Sequence, residues 1–331
     1  MRTEKPAEQP AQVGLIRAFI HWVLGFIICL LPGPALAMNK SSEIVIPLNN
    51  WASQRVLSHA VGDIIKRYGF AVSYRDMPAR DQWGAMQKGL IHFQIEVWQQ
   101  STAGSFYRML DNQHIVDLGM HDAMAREEWW YPEYVAALCP GLPHWKALNT
   151  CAPLFSARPG EAKGTFYTID WDYQDADLIR ALGLNFTIER LSNEAELWQK
   201  LEQASDRNQP IVLINWTPNW TDFYRPGQFV EFPAYEKACE TEASWGINRN
   251  LVNDCGNPQQ GWLRKAGWPG LEQTYPCIYN LLKKVNFSQN MIADASAMSI
   301  VEGHTEVQAA QLWQTKYAPE ITRWLDPACL N

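Results

Sequence analysis

The chain has 331 residues, 16 of them tryptophan, with 28 basic and 35 acidic side chains and a formal net charge of −7. That acidic balance excludes a nucleic-acid binder, which needs a basic face, and the length accommodates two domains of ordinary size. No G-x-S-x-G, H-E-x-x-H or G-x-x-x-x-G-K-[ST] occurs, and the histidines show no metal-ligand spacing. No enzyme, metal site or cofactor is therefore expected.

The chain opens with Arg17, an apolar run over 18–31, the breaker Pro32-Gly33-Pro34 and the small-x-small triplet Ala35-Leu36-Ala37. This is the grammar of a cleaved secretory signal peptide over 1–37; the run is shorter than the ~20 apolar residues of a membrane span. Processing removes three basic and two acidic residues, leaving 25 basic against 33 acidic. It also removes Cys29 and leaves six cysteines: Cys139, Cys151, Cys239, Cys255, Cys277 and Cys329. An even number in an exported protein reads as disulfides, with 15 possible pairings. Proximity in sequence suggests Cys139–Cys151, Cys239–Cys255 and Cys277–Cys329.

Downstream, the pattern is α/β. The apolar run 43–48 reads as a strand, and helical spacing over 56–68 ends at Gly69. Strands at 70–74 and 91–97 flank a short helix at 81–88. A helix at 105–112 and a short strand at 114–118 come next. Strands at 165–169, 186–190 and 211–216 alternate with helices at 174–182 and 193–204, the latter opening on Asn193 as N-cap. This alternation implies parallel β-α-β units. From 271 on, the sequence reads as helices at 271–285, 288–297, 305–317 and 319–325. The Pro-, Gly- and Cys-rich stretch after Leu138 marks a change of lobe. One lobe is expected to comprise 38–138 and 245–331, the other 139–244, with a hinge and an interlobe cleft.

Open α/β sheets bind ligands beyond the carboxyl ends of their strands, and tryptophans cluster there. Trp51 follows Ile44-Val45-Ile46-Pro47-Leu48, Trp98 follows Phe93-Gln94-Ile95-Glu96-Val97, Trp171 follows Tyr167-Thr168-Ile169, and Trp216 ends the run from Ile211. Ring faces attract a cation that has no hydrogen to donate, at ~0.5–2 kcal/mol per contact. The pattern predicts an aromatic cage for a quaternary ammonium. Glu96 stands two residues before Trp98 and shares its side of the strand. Trp83, Trp145, Trp198, Trp262, Trp313 and Trp324 are expected in packing roles.

Several segments then carry a resemblance. Glu96-Val97-Trp98, Trp129-Trp130-Tyr131-Pro132-Glu133-Tyr134-Val135, Cys139-Pro140-Gly141-Leu142-Pro143, Asn215-Trp216-Thr217-Pro218-Asn219-Trp220, Trp245-Gly246-Ile247-Asn248 and Asp254-Cys255-Gly256-Asn257-Pro258 occur in this order. Over nearly the whole chain after the leader, the sequence resembles the periplasmic substrate-binding proteins of ABC importers for glycine betaine, choline and trimethylamine N-oxide. The resemblance implies a two-lobe type II binding-protein fold with ligand in the cleft. It also implies a periplasmic, monomeric protein and an importer permease as partner. It places cage aromatics on Trp51, Trp98 and Trp216, with Trp171 from the second lobe and Tyr131 near the ammonium. Choline-type members follow the first cage tryptophan with Thr and Asp, whereas here Ala52 and Ser53 follow Trp51. The ligand stays open among glycine betaine, choline and trimethylamine N-oxide. A ligand sensor of the same fold and an exported enzyme are the rival classes.

Overall fold

β1 (Glu43–Leu48) is an apolar run buried almost throughout. The computed structural model describes residues 43–330 apart from 159, 172 and 173. The expected leader therefore lies outside the described residues. α1 (Ala52–Arg67) follows β1, and its Val56, Leu57, Ala60, Val61, Ile64 and Ile65 repeat at helical spacing and are wholly buried. Gly69, at φ +84°, turns the chain into β2 (Ala71–Asp76), which pairs parallel with β1 from Glu43 opposite Ala71 to Leu48 opposite Asp76. After α2 (Gln82–Gln87) comes β3 (Phe93–Trp98), buried at every residue, and α3 (Gln99–Asp111) begins directly behind Trp98.

β4 (Val116–Pro132) runs for 17 residues, far beyond the short strand that the sequence predicts at 114–118. β5 (Pro140–Pro143), β6 (Gly164–Ile169), β7 (Phe186–Leu191), β8 (Val212–Thr217), β9 (Gly227–Phe229) and β10 (Gly261–Gly267) complete the strands among the described residues. One sheet has the order β3-β10-β4-β8-β6-β7, with β9 paired to β4. β4 joins its two halves. Residues from Val116 to Ala125 pair with β10, and residues from Arg126 to Trp130 pair with β8. The lobe change expected at Cys139 thus falls after the point where β4 changes partners. A bulge around Gly119, at φ +98°, shifts the register on β10, so that Leu118 and His121 are both buried.

Three expectations change here. β10 lies in the segment between 245 and 271, where no strand is predicted, yet it is bonded on both edges. Gly261-Trp262-Leu263-Arg264-Lys265-Ala266-Gly267 looks amphipathic and loop-flanked, but Lys265 is 1% exposed and donates to the Val285 carbonyl. The parallel pattern holds only for β1–β2, β6–β7 and β6–β8; β10 pairs antiparallel with β3 and β4, and β4 antiparallel with β8 and β9. The helix expected over 271–285 is broken into Leu271–Thr274 and Pro276–Lys284, because Pro276 has no N–H to continue the first piece and instead starts the second.

Three of the later helices follow their start signals. Asn193 caps Glu194–Asp206 by accepting from the Glu196 N–H, Ser288 caps Gln289–Ile300, and Thr305 with Gln308 forms a capping box for Glu306–Lys316. Gln289–Ile300 and Glu306–Lys316 pack back on α1. No helix among the described residues is long and apolar enough to cross a membrane. The three cysteine pairs are those suggested by sequence proximity, with Cα–Cα separations of 5.7, 6.3 and 5.8 Å.

Cys277–Cys329 closes 52 residues and Cys139–Cys151 closes 12. By loop-closure entropy these bonds contribute about 4 and 3 kcal/mol respectively. Urea unfolding of Cys277→Ser/Cys329→Ser is expected to show the larger loss of the two paired variants.

Candidate ligand-binding cleft

The cleft is built where strands give way to helices or loops. β1 ends at Leu48, and Asn49-Asn50 leads to Trp51, the residue that precedes the first turn of α1. A buried amide network holds this loop. The Gln54 side chain accepts from the Asn49 N–H at 2.8 Å and donates to Gln94 Oε1 at 3.2 Å, and Gln94 donates to Asn49 Oδ1 and to Gln82. Two residues beyond Gln94, on the same side of β3, stands Glu96; Trp98 ends the strand and precedes the first turn of α3. Trp171 follows β6, and Trp216 lies near the end of β8, opposite Glu127 of β4.

Glu96 organises two of these rings. Its Oε2 accepts from Trp51 Nε1 at 2.6 Å, Ser53 Oγ at 3.0 Å and Trp98 Nε1 at 3.2 Å. Its Oε1 is buried with no hydrogen-bond partner among the described residues. Burial pushes the carboxyl up to about 7, against the downward pull of the Trp51, Ser53 and Trp98 donors. The Trp51 and Trp171 rings meet edge to face at 6.0 Å, Trp171 lies 5.0 Å from Trp216, and Trp216 lies 5.3 Å from Trp198. Trp51, Glu96, Trp98, Trp171 and Trp216 line one small cavity of about 60 Å³. A single water needs roughly 10–15 Å³ on this measure, so the space suits a few waters or one compact solute.

The charges around it are mostly negative. Glu96, Glu127 and Asp170 line the cavity together with one cation, Arg80. Arg80 pairs with Asp170 at 3.2 Å, and both are largely exposed at the rim, where such a pair contributes little. A caged cation therefore meets ring faces and an excess of carboxylates, and an anionic group meets no unpaired cation among the described lining residues.

Residues 42–316 match the family described as the substrate-binding domain of the ABC-type glycine betaine transport system. The chain belongs to that family. It is 32% identical over 311 residues, covering 91% of this chain and 95% of the relative, to a trimethylamine N-oxide-binding protein of Pelagibacter ubique (strain HTCC1062). Solved structures share the two-lobe fold. A choline-binding protein of an ABC transporter in complex with choline matches at TM-score 0.68 and 13% identity, over 85% of this chain and 91% of that one. The glycine betaine- and L-proline-binding protein ProX of Borrelia burgdorferi matches at 0.68 and 16%, over 87% and 98%. Lactococcal OpuAC, closed on glycine betaine, matches at 0.66 and 16%, over 86% and 100%.

In this binding protein, five of the six site residues expected from the sequence share the cavity. Tyr131 does not. It lies on β4 beyond Glu127 and the core residue Trp129, is wholly buried, and its hydroxyl donates to Gln228 on β9 at 3.2 Å. Sequence reasoning also passed over Asn50, Ser101, Thr102 and Glu127, which line the cavity, and placed Trp83 in packing alone although it does both. Ser101 and Thr102 fall in the first turn of α3, which begins six residues ahead of the predicted start. Their signal was the run of small polar residues directly after a strand-ending tryptophan.

Two tests follow from this geometry. Trp216→Ala removes one ring face and should weaken binding of a methylated ammonium by roughly 2- to 30-fold. Trp313→Ala, in a core site whose Nε1 donates to the Met291 carbonyl, should lower stability and leave affinity unchanged by titration calorimetry. The second test is a pH profile. Burial raises Glu96, Glu128 and Glu194 to about 7. The native state thus holds protons that the unfolded chain has lost, so this stability is present in full below the ordinary carboxyl range and is lost as pH rises through about 7. The melting temperature should fall between about pH 5 and pH 8. Glu128→Gln, at a site whose carboxylate accepts from the Trp129 and Asn257 N–H groups and does not line the cleft, should make that fall shallower.

Proposed function

We propose that this substrate-binding protein captures a methylated amine of the glycine betaine class in the tryptophan cage, with trimethylamine N-oxide as its ligand, and hands it to an ABC importer permease. The observation that carries the choice is Glu96. One carboxylate oxygen is taken by three donors, while the other is buried, unpartnered among the described residues, and belongs to a side chain that lines the cavity. An N-oxide oxygen only accepts hydrogen bonds. A Glu96 that keeps its proton near neutral pH supplies the donor, and the surrounding rings take the methyl groups.

The competing ligands fit less well. The carboxylate of glycine betaine would enter a cleft lined by Glu96, Glu127 and Asp170, where the one cation among the described lining residues is already paired with Asp170. The hydroxyl of choline needs an acceptor, and the position that carries Asp in choline-type relatives holds Ser53, whose hydroxyl already donates to Glu96. The named relative at 32% identity supports the same ligand. We also read the protein as monomeric and as periplasmic after removal of 1–37, consistent with its three disulfides. We place the lobes at 38–138 with 245–331 and at 139–244.

The test is titration calorimetry from about pH 5.5 to pH 8.5 with trimethylamine N-oxide and choline. A protonated Glu96 is present below about 7 and lost above it. N-oxide affinity should therefore fall as pH rises, by up to about tenfold per unit, while choline affinity holds or improves. Choline binding tighter than N-oxide at neutral pH, or a flat N-oxide profile, would overturn the assignment.

A further inference from the structure

α1 begins directly behind a cage residue, and its first turn lacks a cap of its own. The Trp51 side chain makes no capping bond; its indole N–H is a donor and is spent on Glu96. The cap comes from elsewhere in the fold. Glu194 Oε2 accepts from the Ala52 N–H at 2.8 Å, across 142 positions of sequence. Glu194 is the first residue of helix Glu194–Asp206, which packs with β6 and β7, whereas α1 packs with β1 and β2. The other oxygen, Oε1, accepts from Trp198 Nε1 at 3.0 Å, one turn along the same helix. Trp198 in turn lies against Trp216 at 5.3 Å and Trp220 at 5.2 Å.

One carboxylate thus holds the backbone beside Trp51 and the ring that backs Trp216. A second carboxylate lies next to it. Glu96 accepts from Trp51 Nε1 and Ser53 Oγ, so carboxylates from opposite sides of the cleft flank the stretch Trp51-Ala52-Ser53. Two acidic groups flanking one buried stretch cannot both ionise without repulsion, and Glu96 pushes Glu194 toward its protonated form. Removing a carboxylate from water is costly unless it is paired, so one kept only for packing would be a poor choice at this position. A methylated cation between the rings offsets the repulsion.

Resting on the cage reading above, we infer that Glu194 is a positioning residue that makes closure of the cleft conditional on a cation among the tryptophans. It does not touch the ligand. Without a cation, bringing Glu194 onto Ala52 sets two carboxylates against each other. With one, the same contact caps α1 and seats Trp198 behind Trp216. This assigns to one side chain both the barrier to empty closure and the latch of the filled state.

The experiment compares wild type, Glu194→Ala and Glu194→Gln by tryptophan-fluorescence titration and small-angle scattering, with trimethylamine N-oxide, choline and glycine betaine each as probe. Glu194→Ala should weaken the probe that wild type binds best by about 10- to 100-fold, the loss of hydrogen bonds to a charged group. Its ligand-free melting temperature should stay within a few degrees of wild type. Glu194→Gln keeps the shape and removes the charge, so its ligand-free form should be more compact than that of wild type, with a smaller change on adding the probe. A purely structural role would not produce that ligand-free compaction. Unchanged ligand-free scattering in Glu194→Gln together with unchanged affinity in Glu194→Ala would overturn the role of Glu194 and leave the cage intact. Failure of wild type to bind any of the three probes would overturn the cage, and this role with it.

Discussion

A carboxylate held out of water between two indole N–H groups is the constraint around which the cleft is arranged. Glu96 is 1% exposed, and an isolated charge there would be costly. The cost is met by aiming Trp51, Ser53 and Trp98 at one oxygen. The same bonds fix the planes of two rings that would otherwise rotate about their side-chain torsions. A cage needs ring faces at set positions before the ligand arrives, because ordering them on binding would consume the small gain of each cation–π contact. The amides of Gln54, Gln82 and Gln94 extend this ordering beneath the Asn49–Trp51 loop. Tyr131, anchored to Gln228, takes no part in it.

The sheet supplies the second requirement, which is that rings from distant segments converge. β4 pairs with β10 along one stretch and with β8 along the next, so a single extended strand carries the chain from one half to the other. An extended strand bonded along its length resists stretching yet accommodates twist, which suits two bodies that close on a small solute. The helix that starts directly after Trp98 turns the polar residues Ser101 and Thr102 of its first turn toward the cavity. The site therefore combines five tryptophans with hydroxyls from the start of α3 and carboxylates from β3, β4 and the loop after β6.

Membership in the glycine betaine-transport family is compatible with several methylated amines, and the balance of charge narrows the choice. A cleft rich in carboxylates, with the one cation among its described lining residues already paired, discriminates against a ligand that brings its own carboxylate. Selectivity of this kind comes from what the wrong ligand meets as much as from what the right one gains.

Much was legible in the sequence because the signals were local. Buried strands ending in tryptophan and helix caps such as Asn193 and Thr305 act over a few residues, and two of the cysteine pairs lie 12 and 16 positions apart. These determined the α/β class, the disulfide pairs and the tryptophans that line the cleft. Other features depend on partners far along the chain. β10 and most of β4 carry charged residues and glycine that mask strand character, and long-range pairing with each other, with β3 and with β8 makes them strands. Tyr131 sits in a motif similar to the family's, but the strand direction set by β9 carries it away from the cavity. Nothing near Glu194 marks it as the cap of a helix 142 positions earlier, because a contact between halves exists only once both have folded and met. Local propensity decided which elements form and where their aromatic ends lie; the tertiary structure alone decided which carboxylates those ends would meet.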